Sequence, residues 1–262
     1  MVRLAVIGNP ISHSASPTIH LQFAKQFDLQ ISYEKIYSPL EDFEKTVEEF
    51  FNSGGYGMNV TIPFKHRAFQ MVDHVEDAYA EMSQAVNTIY KKENKLWGYN
   101  TDGHGFVDDL LDNCKVTLKD KDVFIIGAGG ASVGIIPALI SAKISKISIW
   151  NRTIQKAEIV AKRFDPWVSV SALDQISSHH IVICALSRSV DNNFLQPFLN
   201  SDLICYDLNY HSDQTETSFL QLARQQNITK CFDGKGMLIQ QAAHAFSIWF
   251  KQYPDLRNIT LL

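Results

Sequence analysis

The chain has 262 residues, a formal net charge of −4, 45% hydrophobic residues and 20% charged residues. That length fits one or two domains with a sizeable core. The charge balance lacks the basic excess that nucleic acid or an anionic membrane calls for, and the hydrophobic content excludes a disordered chain.

Cys114, Cys184, Cys205 and Cys231 form no C-x-x-C pair and have no His at zinc-finger spacing, so the chain reads as a reduced cytoplasmic protein with no metal site. The N-terminal apolar run meets Gly8-Asn9-Pro10 too early for a signal peptide. No apolar stretch exceeds about six residues, against the roughly 20 of a membrane span.

Residues 3–7 read as a strand that stops at Gly8-Asn9-Pro10. Phe43, Val47, Phe50 and Phe51 fall at i, i+4, i+7 and i+8, which predicts an amphipathic helix ended by Ser53-Gly54-Gly55. A strand follows over 56–61. Residues 86–90 and 96–99 flank Glu93-Asn94 as a hairpin. Further on, apolar β-branched runs at 123–126, 147–150, 181–185 and 204–206 alternate, for the first pairs, with helical patterns at 132–142 and 154–164. This alternation predicts βαβ units and a parallel sheet. A long aromatic-rich helix over 237–250 closes the chain, and its pattern does not say which domain it packs on.

Gly127-Ala128-Gly129-Gly130-Ala131-Ser132 sits between a predicted strand and a predicted helix, as a G-x-G-x-x-small fingerprint requires. The first Gly permits the tight turn, the second lets backbone approach a pyrophosphate, and Ser132 loosely meets the need for a small third residue. The helix N-terminus then offers N–H groups to phosphates. A Gly-rich turn without a ligand, or a methyltransferase loop, would look similar. The next strand ends in Asn151-Arg152-Thr153, with Lys156 one turn on. An acid for the ribose of NAD is absent, and a guanidinium suited to a 2′-phosphate is present, which favours NADP. The plainer reading makes Arg152 and Lys156 solvated charges at a helix start.

The first hundred residues place polar groups at four strand ends: His13, Ser14 and Ser16 after Gly8-Asn9-Pro10; Asn59, Thr61 and Lys65; Asn87 with Thr88; and Asn100-Thr101-Asp102-Gly103. Hydroxyl and amide side chains that both donate and accept suit a polyhydroxylated small molecule, and Lys65 with Asp102 would form a general acid/base pair. Each group also has a structural reading. Ser14, Ser16, Thr101 and Asp102 would cap helices, Asn59 and Asn87 would tie loops, and Lys65 would be a solvated surface charge.

Taken in order, these segments, with Tyr206-Asp207, Asp233-Gly234-Lys235-Gly236-Met237-Leu238 and Gln241-Ala242-Ala243-His244, closely resemble the shikimate dehydrogenase family over nearly the whole chain. The resemblance implies an α/β protein of two domains. One is an N-terminal α/β substrate domain with a mostly parallel sheet (residues 1–101 plus 237–262). The other is a Rossmann NADP-binding domain (residues 102–236). The activity it implies is NADPH-dependent, reversible reduction of 3-dehydroshikimate to shikimate in chorismate and aromatic amino-acid biosynthesis. Lys65 and Asp102 become the catalytic residues. Ser14, Ser16, Asn59, Thr61, Lys65, Asn87, Asp102, Tyr210 and Gln241 become the substrate ligands. Gly127, Ala128, Gly129, Gly130, Ala131, Asn151, Arg152, Thr153, Lys156, Leu186, Leu208, Gly234 and Met237 would hold NADP(H). Small-molecule substrate aside, no partner is implied beyond a monomer or homodimer.

The chain departs from the family pattern at Val133, at Cys184-Ala185-Leu186-Ser187-Arg188-Ser189, where Leu186 brings no hydroxyl and Arg188 adds a charge, and at Lys235 between two glycines. Two rival functions remain: an NAD-preferring quinate/shikimate dehydrogenase, and a non-catalytic relative that senses ligand.

Overall fold

The computed structural model describes residues 1–186, 191–211 and 215–261. The chain divides into two compact units, Met1–Gly105 with Leu238–Leu262, and Phe106–Met237.

In the first unit the elements run β1 (Val2–Gly8), α1 (Ser16–Gln26), β2 (Ile31–Tyr37), α2 (Phe43–Asn52), β3 (Gly57–Val60), α3 (Lys65–Met71), β4 (His74–Val75), α4 (Ala78–Ser83), β5 (Thr88–Lys92), β6 (Lys95–Tyr99) and the start of α5 (Asp102–Asp108). The strands order as β2-β1-β3-β5-β6-β4. The sheet is mixed. β1 pairs in parallel with β2 and β3, and β4 with β6, but β5 runs antiparallel to both of its neighbours. Toward β6 the cause is the hairpin at Glu93-Asn94, where both residues take positive φ (52° and 62°), the backbone sense that a tight two-residue turn requires. This reversal matters for function. It brings the amino end of β5 to the same sheet edge as the carboxyl ends of β1, β3 and β6.

The α2 spacing places Phe43, Val47, Phe50 and Phe51 in one core with Ile7, Met58, Val60 and Phe64. The closing helix α9 (Lys235–Phe250) begins two residues before the expected start and packs Ala242, Ala243, Ala245, Phe246 and Trp249 against Leu4, Ile19, Phe23 and Ile31. Its alanines let the helix sit close, and Trp249 Nε1 donates to the Ile89 carbonyl at 3.1 Å.

The second unit contains β7 (Asp122–Ile126), α6 (Gly130–Ser141), β8 (Lys146–Trp150), α7 (Ile154–Arg163), β9 (Val168–Val170), β10 (Ile181–Cys184), β11 (Ile204–Asp207), α8 (Ser218–Gln225) and β12 (Lys230–Asp233). The order β12-β11-β10-β7-β8-β9 is parallel throughout. Strand order reverses between β7 and β10, and open α/β sheets bind ligands beyond the carboxyl ends of the strands at such a switch point. Among the described residues no helix is long and apolar enough to cross a membrane, and all four cysteines are free.

Candidate active site

Lys65 opens α3 and Asp102 opens α5. Lys65 Nζ donates to Asp102 Oδ2 at 2.5 Å, with the two side chains 22% and 8% exposed. Lys65 is therefore not a free surface charge. The other Asp102 oxygen, Oδ1, accepts from Asn87 Nδ2 at 2.8 Å. Asn87 is the hub of the site. Its Oδ1 accepts from the Thr101 backbone N–H at 2.9 Å and from Thr88 Oγ1 at 2.9 Å, and Gln241 Oε1 stands 3.5 Å from both Asn87 Nδ2 and Thr101 Oγ1. Gln241 comes this close because Gly105 has no side chain. A Cβ there would lie 2.4 Å from the Gln241 backbone nitrogen.

Asn59 extends the chain of contacts. Its Nδ2 donates to Thr88 Oγ1 at 3.0 Å and to the Asn87 carbonyl at 3.3 Å, and its Oδ1 accepts from Tyr33 Oη at 2.5 Å. Burial raises the Tyr33 phenol well above its usual pKa, and the hydrogen-bonded Ser16 side chain pulls against that rise. Ser16 in turn shares a 3.2 Å hydroxyl contact with Ser14. Thr61 holds the neighbouring loop, its N–H bonded to the Ile7 carbonyl at 3.0 Å. Ser14, Ser16, Asn59, Lys65, Asn87, Asp102 and Gln241 thus belong to one connected set at one sheet edge. Tyr210 lies in the other unit, after β11. Tyr33, Thr88 and Asn100 also bond within this network, and of the three only Tyr33, on β2, belongs to no motif.

In the second unit the Gly-rich loop leaves β7 with Gly127 at φ +110°, where a Cβ would stand 2.9 Å from the Ala185 carbonyl oxygen. A side chain is excluded there on both counts. A Cβ on Gly129 or Gly130 would meet nothing within 4 Å, so the loop faces open space where a phosphate group would approach. No side chain caps the N-terminus of α6. Ser132 does more than stay small. Fully buried, its Oγ donates to the Gly127 carbonyl at 2.6 Å and closes the turn. Asn151 Oδ1 accepts from the Ala128 N–H at 3.1 Å, and Asn151 Nδ2 donates to the Thr153 carbonyl. Arg152 is exposed just past the carboxyl end of β8, and Lys156 is exposed in the first turn of α7.

The remaining expected cofactor positions cluster at the ends of β10, β11 and β12. Asn209 Nδ2 donates to the Leu186 carbonyl at 2.8 Å, Leu208 N donates to the Cys184 carbonyl, and a Cβ on Gly234 would strike the Leu208 carbonyl oxygen at 2.3 Å. Met237 follows on α9. The unusual Lys235 is matched within its own turn, its ammonium 3.1 Å from Asp233 Oδ2. Val133 sits in the first turn of α6, and Ser187, Arg188 and Ser189 lie outside the described residues.

Residues 6–89 match the family model for the shikimate dehydrogenase substrate binding domain, and residues 109–192 match that for shikimate / quinate 5-dehydrogenase. A shikimate dehydrogenase (NADP(+)) of Chromobacterium violaceum is 40% identical over 98% of this chain and 96% of its own. The chain belongs to the shikimate dehydrogenase family. Among solved structures, shikimate dehydrogenase from Aquifex aeolicus superposes with a TM-score of 0.89 at 30% identity, covering 98% of this chain and 95% of that one. The shikimate 5-dehydrogenase of Thermus thermophilus, in complex with NADP(H) and shikimate, gives 0.88 at 31% identity over 98% and 96%.

Proposed function

We propose that the chain is an NADP-dependent shikimate dehydrogenase of aromatic amino-acid biosynthesis, with Lys65 and Asp102 as its catalytic pair. The observation that carries this reading is the 2.5 Å Lys65–Asp102 contact inside a network of hydroxyls and amides suited to a polyhydroxylated ring. Ser14, Ser16, Asn59, Thr61, Asn87, Tyr210 and Gln241 complete the substrate set in this proposal. The dinucleotide would be held by the 127–131 loop, by Asn151, Arg152, Thr153 and Lys156, and by Leu186, Leu208, Gly234 and Met237. Open space over Gly129 and Gly130 and the uncapped start of α6 fit a pyrophosphate there. When bound, NADPH supplies the hydride.

As the C3 ketone of 3-dehydroshikimate is reduced, negative charge grows on its oxygen. The Lys65 ammonium stabilises that charge and gives the oxygen its proton, completing the hydroxyl of shikimate. Asp102 keeps the ammonium aimed while Asn87 keeps Asp102 aimed. In the reverse direction Lys65 takes the hydroxyl proton as the hydride departs. The free thiols fit a reducing cytoplasm.

Initial rates measured with shikimate or quinate, each with NADP or NAD, test the assignment. Highest kcat/KM for shikimate with NADP is expected. A preference for quinate with NAD would overturn it, as would shikimate binding with no turnover at all.

A further inference from the structure

Behind the Lys65–Asp102 pair lies a second set of contacts that touches neither Lys65 nor the Asp102 carboxylate. Asn100 is fully buried. Its Oδ1 accepts from the Asp102 backbone N–H at 3.1 Å, and its Nδ2 donates to Ser83 Oγ at 3.0 Å. The Asn100 backbone N–H donates to Asp77 Oδ2 at 2.7 Å. Asp77 is itself fixed, because it caps α4 by accepting from the Tyr79 and Ala80 N–H groups at 3.2 and 3.1 Å. These bonds fasten the first residue of α5 to the N-terminus of α4. On the far side His104 Nε2 stands 3.6 Å from Asp77 Oδ1, and the wall opens into a cavity of about 270 Å³.

We propose that Asn100 is a positioning residue for catalysis, acting through the backbone of Asp102 to hold its carboxylate on Lys65. The inference rests on the catalytic reading of that pair given above. The geometry explains the residue type. Asp102 needs an acceptor for its N–H, and Ser83 Oγ, whose own proton goes to the Tyr79 carbonyl at 2.6 Å, needs a donor. A neutral amide meets both needs. A carboxylate at position 100 would supply no donor and would bury an extra negative charge near Asp77 and Asp102. Catalytic groups must be held within about 0.5 Å of productive geometry, so slack at the Asp102 backbone is expected to appear in turnover rather than in cofactor binding.

A kinetic double-mutant cycle tests the proposal. Asn100→Ala is expected to lower kcat for shikimate oxidation at least ten-fold, with the NADP dissociation constant, read by fluorescence titration, unchanged. In an Asp102→Asn background the same change is expected to lower kcat less than two-fold, because the group being positioned has already been altered. An equal fold-loss in both backgrounds would show general structural damage and overturn the proposal, and so would wild-type turnover in Asn100→Ala. If Asn100→Ala does not fold, Ser83→Ala enters the same cycle. A two- to five-fold loss confined to the background with native Asp102 supports the proposal, and an equal loss in both, or none, overturns it. Wild-type turnover in Asp102→Asn alone would instead sink the catalytic reading on which this one rests.

Discussion

The two units prepare their strand ends by opposite means. In the first, side chains fill the edge and bond to one another, so that Lys65, Asp102, Asn87, Asn59 and Tyr33 form a linked and mostly buried set. In the second, side chains are withheld. Gly127 bends the loop, Gly129 and Gly130 leave open space, and the start of α6 stays uncapped. A small ring dense in hydroxyls is read best by many fixed donors and acceptors. A phosphate is bound well by backbone N–H groups, which need only be left accessible. The sharpest test of this contrast is Lys65→Ala. It should cost about 10²–10⁴-fold in kcat, the usual worth of acid/base help, while the NADP dissociation constant stays unchanged. Turnover near wild type, measured by nicotinamide absorbance, would remove the chemistry from the side-chain network.

Arg152 is the place where the backbone-built unit should depend on a charge. If its guanidinium meets the 2′-phosphate, Arg152→Ala loses charge-assisted hydrogen bonds worth about 1.5–3 kcal/mol, or roughly ten- to hundred-fold in the KM for NADP. The KM for NAD should hardly move. Equal rises for both cofactors would place Arg152 on the pyrophosphate, and no rise for either would leave it a solvated charge.

The same contrast governs what the sequence can reveal. The Gly-rich loop was legible because its function lies in residue types at fixed local spacing, and the hairpin because Glu93-Asn94 is a local turn signal. The α2 face was legible from periodicity. The polar network was visible only as its members. Asn87 bonds residues from β5, α5 and α9, and no local pattern specifies that such distant groups meet. β2 carries no clear strand pattern, because Ile31–Tyr37 mixes Ser, Glu and Lys into a half-exposed edge strand. The home of α9 depended on cores assembled far away in sequence. At Ser132 the fingerprint asks only for small size, whereas the hydroxyl supplies a bond to the Gly127 carbonyl.

Acid should separate the two units by stability. His20 lies at the centre of the first, stacked on Tyr33 at 4.8 Å, and burial lowers its pKa to about 3. The unfolded chain takes up that proton near pH 6.5, so the folded unit loses about 1.4 kcal/mol per pH unit as pH falls below 6.5 toward 3. Asp77 acts in the same sense. Burial alone would raise it, but bonds from His104, Asn100 and Tyr79 outweigh that and lower it, so its contribution also fades in acid. In the second unit burial lowers His179, which is acid-sensitive in the same way as His20, but burial also raises Asp109 and Asp207, which oppose it. Their stabilising effect is greatest in acid and is lost as pH rises through their folded pKa values. Peptide-resolved hydrogen exchange between pH 7 and 4 should therefore show residues 1–105 and 238–261 losing protection before 106–186, and His20→Phe should flatten that loss. Uniform loss across both units would contradict it.

The smallest expected effect probes the exception within the backbone-built site. Ser132→Ala removes one hydroxyl and leaves the Gly127 carbonyl without its 2.6 Å donor. An unmet buried acceptor costs about 1–3 kcal/mol, which for a protein of this size is a fall of a few degrees in Tm. If the loop needs only smallness at this position, stability drops and the KM for NADP does not change, since alanine satisfies the fingerprint. If the hydroxyl holds Gly127 at its positive φ, the KM for NADP rises several-fold while the KM for shikimate stays constant. Adding Gly127→Ala discriminates further. Its strain at φ +110° acts on the same turn, so the two changes should combine non-additively in KM for NADP, whereas independent defects would multiply.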